Sequence, residues 1–302
     1  MIPPITNTTI RYAKTAETVW CFFSVPKHLV KKLLTLRTNG LNAKARKIEI
    51  PTMIKPVNAE YKNKSINPIP SGTNQNLMKV LFVTSEATPY IKSGGLADVL
   101  GSLPKELIKQ GVEASVVLPK YRDMKLADTL EFVTSFYIWV SWRREYCGVF
   151  KTELDGVTFY FIDNEFYFDG FKPYGYIHQD IEKFGFFCKA SLSAIPLTGF
   201  RPDIIHCHDW QTGLIPVYLN ERFQGDLFFH GIKTIMTIHN LKFQGKWNID
   251  TVKHMTDLDW SYFTSDKLEA YGDANLLKGG LVYADAITTV SPTYAEEIKT
   301  QF

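Results

Sequence analysis

Five short apolar runs, at residues 79–84, 112–118, 203–207, 232–238 and 286–290, alternate with segments whose apolar residues recur at helical spacing. Runs this short suit strands rather than helices, and strands separated by helices return to the sheet as parallel neighbours. The alternation predicts an α/β fold: a doubly wound, mostly parallel, Rossmann-like sheet with right-handed crossovers. After the first run, Leu96, Leu100, Leu103 and Leu107 mark one helical face, which should lie on the sheet. Pro104 falls inside that segment and is expected to kink or split the helix. Residues 132–162 instead alternate and are rich in aromatics, with Asp155-Gly156 as a hairpin turn, so an antiparallel β insertion is expected there. Further helices are expected over 181–197, 213–222 and 276–283, and Ser291-Pro292 opens another by cap and N1 proline.

With 302 residues, 45% of them hydrophobic, the chain can bury one large core or two smaller ones, and disorder throughout is excluded. The formal charge of +3 is unevenly placed: residues 1–77 carry 12 Lys/Arg against 3 Asp/Glu, leaving 22 against 28 for residues 78–302. A nucleic-acid partner needs a basic footprint on the folded part, and the excess lies in the tail, so no such partner is expected. Residues 1–77 end in a Pro, Gly and Asn run and read as a basic, poorly ordered extension or linker, or as an organelle transit peptide. No apolar run reaches membrane-spanning length. Four cysteines without a CxxC pair suggest a reduced, cytoplasmic protein, or a plastid one if the tail is a transit peptide.

In an open parallel sheet, ligands bind outside the edge where the strands end. Three of the expected strands end in polar clusters: residues 85–95, residues 206–210 (His-Cys-His-Asp-Trp), and His239-Asn240. The first cluster brings Lys92 beside Gly94 and Gly95 at a helix start. A helix start offers unpaired N–H groups and partial positive charge, glycines admit close approach, and Lys92 adds a full charge, which suits a phosphate-bearing ligand. Taken singly, Lys92 is as readily a solvated lysine, Asp98 a complement to the helix dipole, and His239 a hydrogen-bonded strand-end histidine. His206, His208 and Asp209 could gather around a metal, but a third firm ligand and its supporting shell are not evident, so no metal is expected.

The segments KVLFVTSEATPYIKSGGLADV, HCHDWQTGLIPVYL and TIHNLKFQG resemble, in that order, three signatures of bacterial glycogen synthases and plant starch synthases, the ADP-glucose-dependent glucosyltransferases. The resemblance covers residues 78–302. It implies the N-terminal half of a two-domain GT-B type glycosyltransferase, with ADP-glucose as donor, an α-1,4-glucan (glycogen or starch) as acceptor, retention of anomeric configuration, and no metal or other cofactor. By resemblance, Lys92, Gly94 and Gly95 face the donor diphosphate, with Asp98 at the family's helix aspartate. Asp209 and Trp210 line and shape the sugar pocket. His239 lies beside the transferred glucose, where the dipole of its backbone or side chain helps an oxocarbenium-like transition state. Asn240 and Gln244 contact substrate or acceptor. Tyr174, Tyr176 and Trp247 are candidates for stacking on sugar rings. The family's second domain, which holds most nucleotide contacts, is expected beyond Phe302, so the chain alone is expected to be inactive.

Other classes fit less well. A nicotinamide-dependent oxidoreductase wants G-x-G-x-x-G after the first strand and an acid ending the second, and neither is present. A P-loop NTPase needs Gly-Lys-Ser/Thr, whereas Lys92 precedes its glycines. A non-catalytic glucan-binding module remains as the alternative, since half an enzyme can still hold polysaccharide.

Overall fold

A computed structural model describes residues 77–170, 172–223 and 225–299; the expectations for residues 1–77 fall, apart from Leu77, outside them. Strands β1 (Lys79–Val83), β2 (Glu113–Pro119), β3 (Glu131–Val140), β4 (Arg143–Leu154), β5 (Val157–Asp163), β6 (Ile204–His208) and β7 (Lys233–Ile238) are joined by helices α1 (Gly95–Ile108), α2 (Glu165–Phe168), α3 (Ile177–Ala194) and α4 (Leu214–Glu221). There follow β8 (Lys246–Asn248), α5 (Ile249–Thr256), β9 (Glu269–Ala270), β10 (Asp273–Asn275), α6 (Leu276–Tyr283), β11 (Ala286–Thr289) and α7 (Pro292–Glu297).

The main sheet has eight strands in the order β11-β7-β6-β1-β2-β5-β4-β3. Every pairing from β11 to β5 is parallel, while β4 pairs antiparallel with both β5 and β3. The expected antiparallel insertion therefore lengthens the main sheet, because β5 docks on β2 and carries the hairpin strands outward. Asp155 and Gly156 both have positive φ (53° and 78°), the backbone that a tight turn between right-twisted strands requires. A separate three-stranded sheet, β8-β10-β9, has no signal in the apolar pattern, since its strands are two or three residues long.

Chain direction decides which face each helix covers. The β1-to-β2 step moves one way across the sheet, whereas β5-to-β6 and β6-to-β7 move the other way. Right-handed crossovers then put α1 on one face and α3 and α4 on the opposite one. In agreement, α1 packs on β2 and β5, and α3 packs on α4 and α5. Being covered by these helices as well as lying on the sheet, α3 buries Phe184, Phe186, Phe187 and Leu192 around its circumference.

Helix α1 runs unbroken through Pro104, so the expected split does not occur. The proline removes one ladder bond, at about 3 kcal/mol. Leu96, Leu100, Leu103 and Leu107 are all buried, and about 1.5–3 kcal/mol for each such side chain outweighs that loss.

Gly156→Val should lower stability by about 1–2 kcal/mol, read as a lower urea midpoint, because it forces a β-branched residue to positive φ.

Candidate functional site

The sheet order reverses at β1: the chain leaves β1 toward β2 and later returns to β1's other side as β6. Loops following β1 and β6 diverge there, and a cleft of about 1140 Å³ opens beyond the strand ends. Its walls come from Glu86, Ser93–Leu96 and Val99 after β1, Asp209–Gln211 after β6, His239, Asn240 and residues 242–246 after β7, and Val290 after β11. Tyr174, Gly175, Ile177 and Asp180, around the start of α3, close one side.

Asp209 ties two of these loops together. Its backbone lies at φ 57°, ψ −176°, a conformation sparsely used by residues with a Cβ. From there Oδ1 accepts hydrogen bonds from the N–H of His239 at 2.7 Å and of Asn240 at 3.3 Å. Burial pushes its pKa up to about 7, against the lowering effect of those two N–H groups, and Glu86 adds a smaller upward contribution. Trp210, only 5% exposed, lies edge-on to Phe184. Its ring also presses on Gly245, where a Cβ would come within 2.3 Å of Cε3 and φ is +61°.

The cleft residue His239 is one of three clustered imidazoles. His206 and His208 stack with ring centroids 4.3 Å apart, and His208 Nδ1 is 2.9 Å from His239 Nε2. His206 Nε2 is 2.6 Å from the hydroxyl of Thr237. Burial drives His206 and His239 down to about 3 and His208 well below its ordinary value, so all three are neutral near pH 7. Among the described residues, no three His, Cys, Asp or Glu side chains are grouped to hold a metal ion.

The glycine loop is braced from within. Glu86, 2% exposed, accepts through Oε2 from the backbone N–H of Ser93 and, at 3.3 Å, of Gly94. Its Oε1 accepts from the Tyr174 hydroxyl at 3.3 Å. Gly94 is the N-cap of α1 and has no side chain to fill that role, so Glu86 supplies the anion that a helix start favours. The N–H groups of Gly95 and Leu96, in the first turn, remain at the cleft wall. Around an added Cβ at Gly95 nothing lies within 4 Å, so the glycine there leaves open space.

Among the residues singled out from sequence, Gly94, Gly95, Asp209, Trp210, His239, Asn240 and Gln244 line the cleft together. Lys92 and Asp98 do not. They pair with each other at the rim, Lys92 Nζ lying 2.8 Å from both Asp98 oxygens with each side chain about half exposed. Gln244 spends its amide internally, donating to Leu241 O and accepting from Asn275 Nδ2, which anchors its loop to the N-cap of α6. Tyr174 is a cleft residue, while Tyr176, His178 and Trp247 form an aromatic row outside it. Sequence reasoning missed Glu86, Lys242 and Lys246 as cleft residues. The signal for Glu86 was a carboxylate directly after a buried strand.

Asp209 and the imidazoles push stability in opposite directions with pH. For Asp209, the folded value near 7 exceeds the ordinary 3.8, so its contribution is full below 3.8 and lost as pH rises through 7. For the imidazoles, folded values near 3 lie below the ordinary 6.5, so theirs is full above 6.5 and lost as pH falls toward 3. Asp209→Asn should therefore abolish the first trend and leave the acid-side loss, measured as urea midpoints across that pH range.

Residues 79–302 match the family model described as the starch synthase catalytic domain. The glycogen synthase of Lachnospira eligens is 63% identical over 228 residues, which is 75% of this chain and 48% of that protein. That of Geobacillus thermodenitrificans is 49% identical over 227 residues, 74% of this chain and 47% of that protein. The catalytic domain of starch synthase IV from Arabidopsis thaliana, solved bound to ADP and acarbose, superposes with a TM-score of 0.66 at 28% identity, over 74% of this chain and 47% of that one. The chain thus spans about half the length of the relatives it matches. With a parallel sheet opening at its switch point and the family model covering all but the N-terminal residues, this chain belongs to the starch synthase catalytic domain family.

Proposed function

We propose that this chain supplies one wall of a glycogen or starch synthase site that transfers glucose from ADP-glucose to the end of an α-1,4-glucan, and that turnover needs the remaining half of the enzyme as well. The observation that carries this reading is the gathering of the Gly94-Gly95 helix start, Asp209 and His239 in one cleft at the switch point. The Arabidopsis relative, bound to ADP and acarbose, supports a nucleotide and a glucan as the ligand classes.

In the transfer, the bond between glucose C1 and the diphosphate oxygen breaks with its electron pair leaving on ADP, a hydroxyl oxygen of the acceptor bonds to C1, and that hydroxyl's proton passes to the departing diphosphate. Negative charge grows on the diphosphate and positive charge on the sugar, so the site must meet both. The first turn of α1 offers N–H groups and a positive dipole end to the diphosphate. Lys92 adds charge by turning away from Asp98, an exposed pairing worth about 0–1 kcal/mol. His239, neutral near pH 7, works beside the sugar as a hydrogen-bonding dipole and not as an imidazolium acid. Asp209 both holds His239 in place and presents a carboxyl to sugar hydroxyls.

Calorimetry on this chain with ADP-glucose and with a maltooligosaccharide tests the reading against a glucan-binding module. A donor half-site gives heat with ADP-glucose, whereas response to the oligosaccharide alone would favour the module. Gly95→Ala should weaken ADP-glucose binding by about tenfold while leaving stability unchanged or raised by up to about 1 kcal/mol, since the added methyl occupies ligand space and aids the helix. Lys92→Ala should weaken the same binding several-fold and leave oligosaccharide binding unaltered.

A further inference from the structure

His208 is the last residue of β6, fully buried, and the transfer chemistry above assigns it no task. Its ring lies between His206 and the cleft residue His239, with Phe82 stacked nearby at 5.9 Å. The Nδ1 of His208 and the Nε2 of His239 are 2.9 Å apart, so one of these nitrogens carries a proton and the other a lone pair.

The surroundings of His208 decide which. Its Nε2 is buried and has no hydrogen-bond partner among the described residues. Were His239 the donor, a neutral His208 would carry its own proton on that Nε2, leaving a buried N–H with nothing to receive it. With His208 as donor, Nε2 is a bare lone pair, and buried unpaired acceptors are better tolerated than buried unpaired N–H groups. The proton therefore sits on His208 Nδ1 and is given to His239 Nε2. Neutral His239 must then hold its proton on Nδ1, the ring nitrogen left to meet a cleft ligand.

We propose that His208 is a positioning residue that fixes His239 in the Nδ1–H tautomer, so that His239 meets a bound sugar as a hydrogen-bond donor to one of its hydroxyl oxygens. The sugar as recipient rests on the glucosyl-transfer reading, whereas the tautomer rests on the imidazole pair alone. Fixing the tautomer beforehand matters because a ring free to exchange protons would present a lone pair to the hydroxyl for part of the time.

Long-range proton–nitrogen NMR of the uniformly 15N-labelled chain, with His239 assigned by the loss of its signals in His239→Asn, reads the tautomer directly. The expected spectrum shows a protonated Nδ1 and a bare Nε2 for His239. A protonated Nε2 in the unsubstituted chain overturns the proposal. In His208→Phe, His239 should shift toward the Nε2–H form, and affinity for ADP-glucose should fall by about tenfold. His208→Asn places an amide N–H close to the lost Nδ1–H and should restore both the tautomer and most of the affinity. Equal loss in the Phe and Asn variants, with His239 unchanged in both spectra, would reduce His208 to a packing residue and also overturn the proposal. If the unsubstituted chain shows the expected tautomer yet binds neither ADP-glucose nor maltooligosaccharide, the glucosyl reading fails and the histidine pairing stands.

Discussion

One buried carboxylate oxygen organises the cleft. Asp209 Oδ1 receives the first two N–H groups beyond β7 while its own backbone turns out of β6 at positive φ. Because β6 and β7 are adjacent and parallel, both loops leave the same sheet edge, and a single side chain can bridge them. Burial raises the cost of ionising that carboxylate, and the two N–H groups recover part of it. The loop from His239 to Gly245 starts at this bridge and ends against Trp210 and the start of α6. His239 and Asn240 are thereby tied to the loop after β6, while Trp210 is packed against Phe184 and Gly245.

The cleft's charge is arranged in two zones. Next to the sheet edge lie His239, neutral near pH 7, and Asp209, its pKa raised to about 7 by burial. Positive charge is kept to the walls and rim, at Lys242, Lys246 and, paired with Asp98, Lys92. On the proposed glucosyl-transfer reading, a zone without fixed positive charge would suit a sugar that gains positive charge, and the cations at the walls an anionic leaving group. Glu86 lies between the zones: it takes the N–H groups of Ser93 and Gly94 and so braces the glycine loop, while Gly95 and Leu96, next in α1, line the cleft.

Much of the fold was legible before any coordinates. The five apolar runs all became parallel strands of the main sheet, and Asp155-Gly156 became the expected turn. The exceptions have separate causes. Pro104 disagreed with its local propensity because four buried leucines outweigh one missing hydrogen bond. The β8-β10-β9 sheet left no periodic trace because strands of two or three residues hold little more than one repeat of the alternation. Within the site, strand-end placement was readable for Asp209 and His239. The partner of each polar atom was not: Gln244 turned inward to Asn275, Lys92 found Asp98, and Glu86 sits in the loop's own anion seat.

What the sequence determined by itself was the alternation of strand and helix, and with it the single edge at which the polar clusters of residues 85–95, 206–210 and 239–240 had to emerge. Periodicity and chain handedness are local properties, so they survive without knowledge of neighbours. Only the tertiary structure decided which donor meets which acceptor, how far burial moves Asp209 and the three imidazoles from their ordinary ionisation, and which lysines face the cleft. Those outcomes depend on distances of a few ångströms between segments far apart in the chain, and hydrogen bonding and desolvation are sensitive to such distances in a way that no residue pattern encodes.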